Sequence, residues 1–189
     1  MKRELDHLVV AARTLDEGSA WVEAKLGVPM AEGGKHALMG THNRLLSLGP
    51  GAFLEVIAID PEAPAPGRPR WFDLDAPAMR ELLSRGAALI HWVERTDDLE
   101  AALADYSEPV EILSLSRGPY RWRMGVPRDG RLPGQGRLPT LTQWQGGLHP
   151  AQALPASGCK LERFDRVHGL AATFSTPSGM RTIPDLGRE

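Results

Sequence analysis

The feature that most constrains the fold is a segment that occurs twice. Residues 5–18 read LDHLVVAARTLDEG, and residues 89–103 read LIHWVERTDDLEAAL. In both segments a histidine, His7 or His91, stands inside an apolar run, and a leucine in an acidic context follows eight positions later. Because self-similarity within a chain indicates repeated structural units, we expect two related modules that each begin with a histidine-bearing strand.

The first copy predicts a strand, a helix and then two or three strands. Residues 5–12 are apolar and contain β-branched residues, as a strand requires. Thr14 and Glu17 have the spacing of a capping box, so a helix should follow and end at Gly27. The runs NRLLSLG and AFLEVIAID are joined across GPG, which is a hairpin signal.

The second copy repeats this order, with a strand at 88–95, a helix at about 98–106, strands at 110–116 and 119–126, and a last strand LPTLTQW. The fold predicted is α+β, with two βαβββ modules whose strands form a curled mixed sheet around a cleft. The boundaries expected within one domain of residues 1–189 are module 1 at 4–62, a connecting segment at 63–87 with a helix at 75–86, module 2 at 88–150 and a C-terminal hairpin at 158–184.

Composition limits the partners. The formal net charge is −2, from 22 basic and 24 acidic residues, and no charge run suggests a nucleic-acid or membrane-surface partner. No apolar run reaches the roughly 18 residues of a membrane span, and the N-terminus does not resemble a signal peptide. With one cysteine, Cys159, no internal disulfide is expected. We therefore expect a cytoplasmic protein that binds a small molecule, as a monomer or homodimer.

Polar residues interrupt the first and last strand of each copy. These are His7 and Glu55 in the first copy and His91 and Gln143 in the second. Two imidazoles, a carboxylate and an amide oxygen suit a first-row divalent ion (Zn, Mn, Fe, Ni or Co) better than calcium. The alternative is that each is a hydrogen-bonded core residue, which the sequence leaves open.

At this point the chain resembles a known superfamily. Two βαβββ copies with these polar positions are similar to the vicinal-oxygen-chelate superfamily, which includes glyoxalase I. Within it, LDHLVVA, GGKHALMGTHNRLLSLG, FLEVIAIDPE and, at residues 141–151, LTQWQGGLHPA resemble the glyoxalase-like domain proteins. The resemblance covers about residues 4–160 and implies the glyoxalase-like fold.

The resemblance implies the metal positions His7, Glu55, His91 and Gln143. Many glyoxalase-like domain proteins lack a histidine at the place of His91, so that family alone does not imply a metal. Glyoxalase I has a glutamate base in its second half, where this chain has Gln143, and an amide cannot act as a base. Glyoxalase I activity is therefore not expected.

Further candidates lie in loops and in one strand. The resemblance places His36, Thr41 and Asn43 of the glycine-rich segment beside the pocket, although a turn that satisfies its own backbone groups explains them too. Arg121 and Arg123 alternate with aromatic residues and, if they face inward, would attract an anionic substrate. His149 either points into the same cavity or lies in a surface loop.

Two functions remain open on these residues. The first is a metal-dependent enzyme of lyase, isomerase or dioxygenase type, which stabilises an enolate or oxyanion of a small oxygenated substrate by Lewis-acid catalysis. Glu55, the only carboxylate of the set, would then transfer protons, with His36 or His149 acting from further out. The second is a metal-free protein that sequesters a small molecule in the same cleft, as drug-resistance members of the superfamily do.

Overall fold

The computed structural model describes residues 2–167 and 169–184, so the predicted domain of residues 1–189 extends beyond the described residues at both ends, and residue 168 of the predicted hairpin also lies outside them. Eleven strands and four α-helices are described, together with a 3₁₀ helix at Pro133–Gly136. The elements are β1 (Arg3–Ala11), α1 (Leu15–Leu26), β2 (Ala31–His36), β3 (Thr41–Ser47), β4 (Phe53–Ile59), α2 (Pro77–Ser84), β5 (Ala88–Thr96), α3 (Leu99–Ala104), β6 (Glu111–Arg117), β7 (Tyr120–Val126), β8 (Thr140–Gln145), α4 (Pro150–Ala153), β9 (Lys160–Asp165), β10 (Ala171–Thr176) and β11 (Gly179–Ile183).

Eight strands form one mixed sheet in the order β2-β3-β4-β1-β5-β8-β7-β6. The two halves of this order match each other, because β1 pairs in parallel with β4 and β5 pairs in parallel with β8. The opening strands β1 and β5 run antiparallel at the centre and join the modules. The edge strands β2 and β6 also contact each other, so the sheet is strongly curled. The predicted fold class is confirmed.

The first helix begins and ends where the sequence predicts. The Thr14 hydroxyl accepts a hydrogen bond from the Glu17 backbone N–H at 3.1 Å. Gly27 ends the helix in the left-handed conformation (φ 73°), which glycine adopts without steric penalty. Val22 and Leu26 are buried against the sheet, so the helix covers the outer face of module 1.

Alternation along β1 defines the two faces of the large sheet. Leu8 and Val10 point to the outer face, where they pack in the core that contains α1. Val9 and Ala11 point to the inner face, where a second core contains Trp71 and other side chains of the connecting segment and α2. The connecting segment thus fills part of the concave side, and the rest of that side holds the polar residues described below.

The C-terminal region forms a second sheet of three strands, in the order β11-β10-β9, rather than a single hairpin. The second half of the predicted hairpin is itself divided by a turn before Gly179, whose φ is 101°. Phe174 and Ile183 of this sheet are fully buried in the outer core with α1. The C-terminal strands therefore cover the outer face of the large sheet.

No helix among residues 2–167 and 169–184 is long and apolar enough to cross a membrane.

Candidate functional site

A β-bulge brings two neighbouring residues of β1 into one site. The register of β1 against β5 shifts between Leu5 and His7, at the position of Asp6. A bulge redirects a side chain that would otherwise point to the opposite face. Asp6 consequently lies beside His7, although adjacent strand residues normally face apart.

Asp6 is a fully buried carboxylate (0% exposed) that accepts three hydrogen bonds. The donors are His7 Nδ1 at 2.6 Å, His149 Nε2 at 2.9 Å and Trp144 Nε1 at 2.7 Å. Burial alone would raise the pKa of Asp6, but the hydrogen bonds from His149 and His7 outweigh it and hold the pKa well below its ordinary value. Asp6 is therefore ionised and fixes the orientation of both imidazoles.

Glu55 lies on the same face as His7 and is 4% exposed. Asn43 Nδ2 donates to Glu55 Oε1 at 2.6 Å, so one carboxylate oxygen is held in place. The other oxygen, Oε2, lies 3.6 Å from His7 Nε2. His7 Nδ1–H donates to Asp6, so Nε2 is the nitrogen that is left to face Glu55. The site thus contains a basic nitrogen and a carboxylate oxygen that face each other.

Asn43 is also the centre of a network that reaches the second module. Its Oδ1 accepts from Arg117 Nη1 at 2.7 Å and from the Gly34 backbone N–H at 2.9 Å. His36 Nε2 lies 3.3 Å from Asn43 Nδ2, and His36 Nδ1 lies 3.0 Å from Thr41 Oγ1. Both protons and both lone pairs of the amide are engaged, so the side chain has one possible orientation.

His36 is a neutral member of this network. Burial, and then the positive charge of Arg117, lower the pKa of His36 to about 3. Nδ1–H then donates to Thr41 and Nε2 accepts. The structure therefore brings the predicted residues His36, Thr41 and Asn43 together beside Glu55, where they position its carboxylate.

His91 is fully buried on the inner face and hydrogen-bonded to β8. Its Nε2 accepts from the Thr140 backbone N–H at 3.1 Å and lies 2.9 Å from Thr140 Oγ1. Burial lowers the pKa of His91 to about 3, so the ring is neutral and its proton is on Nδ1. This Nδ1–H is buried without a hydrogen-bond partner among the described residues.

Three other predicted site residues lie away from this cluster. Gln143 Nε2 donates to the Asp97 carbonyl at 2.6 Å, and its Oε1 accepts from Arg123 at 3.3 Å. Arg123 also pairs with Glu100 on α3. The Arg121 guanidinium is exposed and donates to the backbone carbonyls of its own hairpin. The buried Trp122 between these arginines points to the inner face instead.

The four predicted metal ligands do not fit one cation site. Gln143 lies on the strand face opposite to His7, and neither nitrogen of His91 offers a lone pair, since Nε2 accepts from Thr140 and Nδ1 carries the proton. Only His7 Nε2 and Glu55 Oε2 remain, and two ligands are fewer than the three or four that a protein zinc site uses. Among the described residues no group of three or more His, Cys, Asp or Glu side chains is arranged to hold a metal ion.

The segment around His149 covers the site. His149 Nδ1 accepts from the Ala151 backbone N–H, which leaves Nε2–H to donate to Asp6. Ala151 of α4 packs against Phe53, whose ring stacks on His7 with centroids 4.5 Å apart. His7 is consequently only 6% exposed. Of the two alternatives for His149, the contact to Asp6 favours a position beside His7.

Sequence reasoning missed two residues of the site, Asp6 and Arg117. Asp6 carried a usable signal, because a carboxylate in an apolar strand is costly unless it is paired, which is the argument that identified Glu55. Arg117 carried no local signal, since it reaches Asn43 only through the curl of the sheet.

The fold agrees with the comparison to known families. The glyoxalase-like domain family matches residues 5–175, which is most of the chain. The chain is therefore a member of the glyoxalase/vicinal-oxygen-chelate superfamily. Within that superfamily it belongs to the glyoxalase-like domain family. No curated protein matches the chain.

Three solved structures are similar to this chain at low sequence identity. A hypothetical protein from Staphylococcus aureus has a TM-score of 0.52 and 18% identity over 77% of this chain, which spans 59% of the length of that protein. A methylmalonyl-CoA epimerase from Streptomyces coelicolor, solved with 2-nitronate-propionyl-CoA, has a TM-score of 0.48 and 20% identity over 77% of this chain and 96% of its own. The epimerase from Mycobacterium tuberculosis has a TM-score of 0.45 and 21% identity over 74% of this chain and 85% of its own.

Proposed function

We propose that this protein is an enzyme that moves a proton on a small oxygenated substrate, with His7 as the base. The observation that carries the proposal is the state of the His7 ring. Asp6 accepts from His7 Nδ1–H at 2.6 Å, and Nε2 faces Glu55 Oε2 at 3.6 Å rather than a structural donor. A buried carboxylate that orients an imidazole in this way favours general-base catalysis by the other nitrogen.

The reaction follows from the two facing groups. His7 Nε2 removes a proton from a carbon next to a carbonyl group, and the electron pair of the C–H bond moves to the carbonyl oxygen as an enolate. Glu55, whose Oε1 is held by Asn43, takes part in the exchange of that proton through Oε2. Return of a proton to carbon or oxygen completes an isomerisation or epimerisation with no net change in oxidation state.

An enolate oxygen needs hydrogen-bond donors in a site without water. Two buried N–H groups of the inner core have no partner among the described residues, namely His91 Nδ1 and Trp71 Nε1. Both rings contact Phe72, at centroid distances of 5.3 and 5.4 Å, and Phe72 has a φ of 59° that non-glycine residues rarely adopt. Strain of this kind is often found at functional sites, and we assign the two donors to the substrate oxygen.

Substrate entry requires α4 to move, because α4 and Phe53 cover His7. Gly146 and Gly147 precede His149 and both have a positive φ, of 72° and 71°. A Cβ on either glycine would meet no atom within 4 Å. Unconstrained glycines at the base of a covering segment are suitable hinge positions.

Proton exchange with solvent tests the proposal directly. In D₂O, at least one member of a panel of small 2-oxo and 3-oxo carboxylates should lose its acidic C–H signal in proton NMR when the protein is added. His7→Gln should slow this exchange by at least about 100-fold, the usual contribution of a general base. His42→Gln is the matched control, because His42 lies on the opposite face of β3 to Asn43, and its rate should stay within about twofold.

Two results would count against the proposal. One is a panel in which no compound exchanges faster than in buffer, and the other is exchange by His7→Gln at the wild-type rate. The first result, combined with measurable binding of a panel member, would favour the second candidate function, a metal-free binding protein. That candidate is supported by the indole rings of Trp122 and Trp144, which lie 5.3 Å apart near the polar cluster.

The predicted metal dependence has its own test. Since Gln143 and His91 have no lone pair directed at His7 and Glu55, we expect elemental analysis of protein purified without chelators to find well below one equivalent of Zn, Mn, Fe, Ni or Co. Dialysis against EDTA should leave the melting temperature unchanged. One equivalent of metal that is lost in His91→Ala would instead restore the metal-dependent Lewis-acid enzyme as the preferred function.

A further inference from the structure

The second module contributes a charged side chain to the first. Arg117 ends β6, and its guanidinium crosses the seam between the edge strands β2 and β6 to reach Asn43. Gly34 makes this crossing possible, because a Cβ there would lie 2.6 Å from Arg117 Cδ. The glycine of β2 therefore accommodates the arginine stem.

The charge of Arg117 is balanced only in part by the protein, through the carboxylate of Glu55, which raises the pKa of Arg117 without contacting it. Arg117 is half-buried and forms no ion pair within the part of the chain that the structure describes. Its Nη1 binds Asn43 and lies 3.5 Å from His36, whereas Nε and Nη2 have no partner there. Burial lowers the pKa of Arg117, although a guanidinium still remains protonated. A partly desolvated cation with two unused donors is suited to an anion that arrives from solvent.

Arg117 is one of the residues that line a cavity beside the cleft. The cavity has a volume of ≈ 260 Å³ and lies between β2, the β6–β7 turn and α4. Its other walls are mainly apolar, formed by Leu45, Tyr120, Pro150 and Leu154. One carboxylate, Glu32, also lines it, but Glu32 lies 3.8 Å from Arg44 and is highly exposed. The cavity thus combines one cation with apolar walls in a volume below that of most drug-sized pockets.

We propose that this cavity binds the carboxylate of a small monocarboxylate with an apolar body, through Arg117. The planar fork of the guanidinium pairs with two carboxylate oxygens, and the apolar body lies against Leu45, Tyr120 and Leu154. The inference rests on the proposed function, since the cavity would hold the carboxylate end of the substrate next to the proton-transfer pair, which does not itself line the cavity. Arg117 and Glu55 share Asn43 as a hydrogen-bond partner, which places the anion next to the proton-transfer pair.

Binding of phenylacetate and its neutral analogue phenylacetamide, followed by NMR titration, tests this assignment. Wild-type protein should bind the carboxylate at least tenfold more tightly than the amide. Arg117→Gln should remove this difference, and Arg117→Lys should keep only part of it, because an ammonium lacks the fork. Arg128→Gln is the control at an exposed arginine that does not line the cavity, and it should retain the full difference.

The experiment separates carboxylates from other anions and from misfolding. Inorganic phosphate that competes with phenylacetate as strongly as acetate does would assign the site to anions in general and overturn the carboxylate class. Equal affinity of wild-type protein for phenylacetate and phenylacetamide overturns the proposal without any variant. An unchanged preference in a folded Arg117→Gln also overturns it.

Failure of the proposed function gives a different pattern. His7→Gln should bind phenylacetate as the wild type does, because His7 does not line the cavity. Arg117-dependent binding without proton exchange in any panel compound would refute the enzyme and leave the carboxylate site intact. Exchange by His7 without a preference for the carboxylate would refute the site and leave the enzyme intact.

Discussion

Replacing Asp6 with alanine is expected to lower the free energy of unfolding by about 3–5 kcal/mol. The substitution removes the acceptor of a buried donor on His7 and of two partly buried donors, on His149 and Trp144. Each buried donor left unpaired costs roughly 1–3 kcal/mol, and the strand bulge cannot supply a replacement. Urea unfolding at pH 7, followed by circular dichroism, measures the change.

A matched surface variant and a conservative variant sharpen this test. Asp105→Ala, at an exposed position, should change the free energy of unfolding by less than about 0.5 kcal/mol. Asp6→Asn should lose less stability than Asp6→Ala, because the amide oxygen still accepts from His149 and Trp144. Its NH₂ group then faces His7 Nδ1 and forces the ring proton onto Nε2. Nitrogen-15 shifts of His7 should report this change of tautomer, and a stable Asp6→Ala would show that Asp6 does not hold the site together.

The fold could be predicted from the sequence because the signals were local and repeated. Alternation in β1, the Thr14 cap and the glycine after α1 each specify their own element, and the structure has them at the predicted places. The repeat then predicted the topology, since two copies of one module fold by the same local rules. The C-terminal sheet was less predictable, because it depends on packing against α1 rather than on its own pattern.

The candidate site was only partly predictable because strand alternation amplifies small errors of alignment. In β8 the residues that face inward are Thr140, Thr142 and Trp144, and Gln143 lies between them on the opposite face. An offset of one residue between the repeats is enough to exchange the two faces. The pattern of apolar residues in β8 does not show which face points inward, because the outer face is buried too. Leu141 lies on that outer face and packs against α3.

Long-range contacts explain the other differences. Arginine beside aromatic residues suggests an anion site at Arg121 and Arg123, yet the arginine that enters the cleft is Arg117 at the end of the preceding strand. Its position depends on the meeting of β2 and β6, which are distant in sequence. The glycine pair before Lys35 is the only sequence signal of the contact between β2 and β6. Glycine pairs occur for many other structural reasons, so this pair does not predict the contact by itself.

The second large effect is a loss of folding stability at acidic pH. The stability of this protein is expected to fall by on the order of 5 kcal/mol between pH 6 and pH 4, before carboxylates contribute. His36 and His91 are buried as neutral rings with a pKa of about 3, below the value of 6.5 in an unfolded chain. Between these values the unfolded state binds more protons, so the folded state loses about 1.4 kcal/mol per pH unit for each histidine as pH falls. A typical domain has only about 5–15 kcal/mol of stability, so this loss is a large part of the total.

Urea unfolding at steps of half a pH unit from 7 to 4 measures this slope. In His91→Gln the slope should decrease by about 1.4 kcal/mol per pH unit, whatever the loss of absolute stability, because one of the two titrating groups is absent. The contribution of Asp6 to stability can be distinguished from that of the histidines because it is lost at lower pH. A carboxylate with a lowered pKa loses its stabilising contribution only as the pH falls below its unfolded value of 3.8. A wild-type slope near zero between pH 6 and 4, or the same slope in His91→Gln, would show that His91 is protonated in the folded state. Nδ1 and Nε2 would then both be donors, and the hydrogen bond that Nε2 accepts from the Thr140 N–H would be lost.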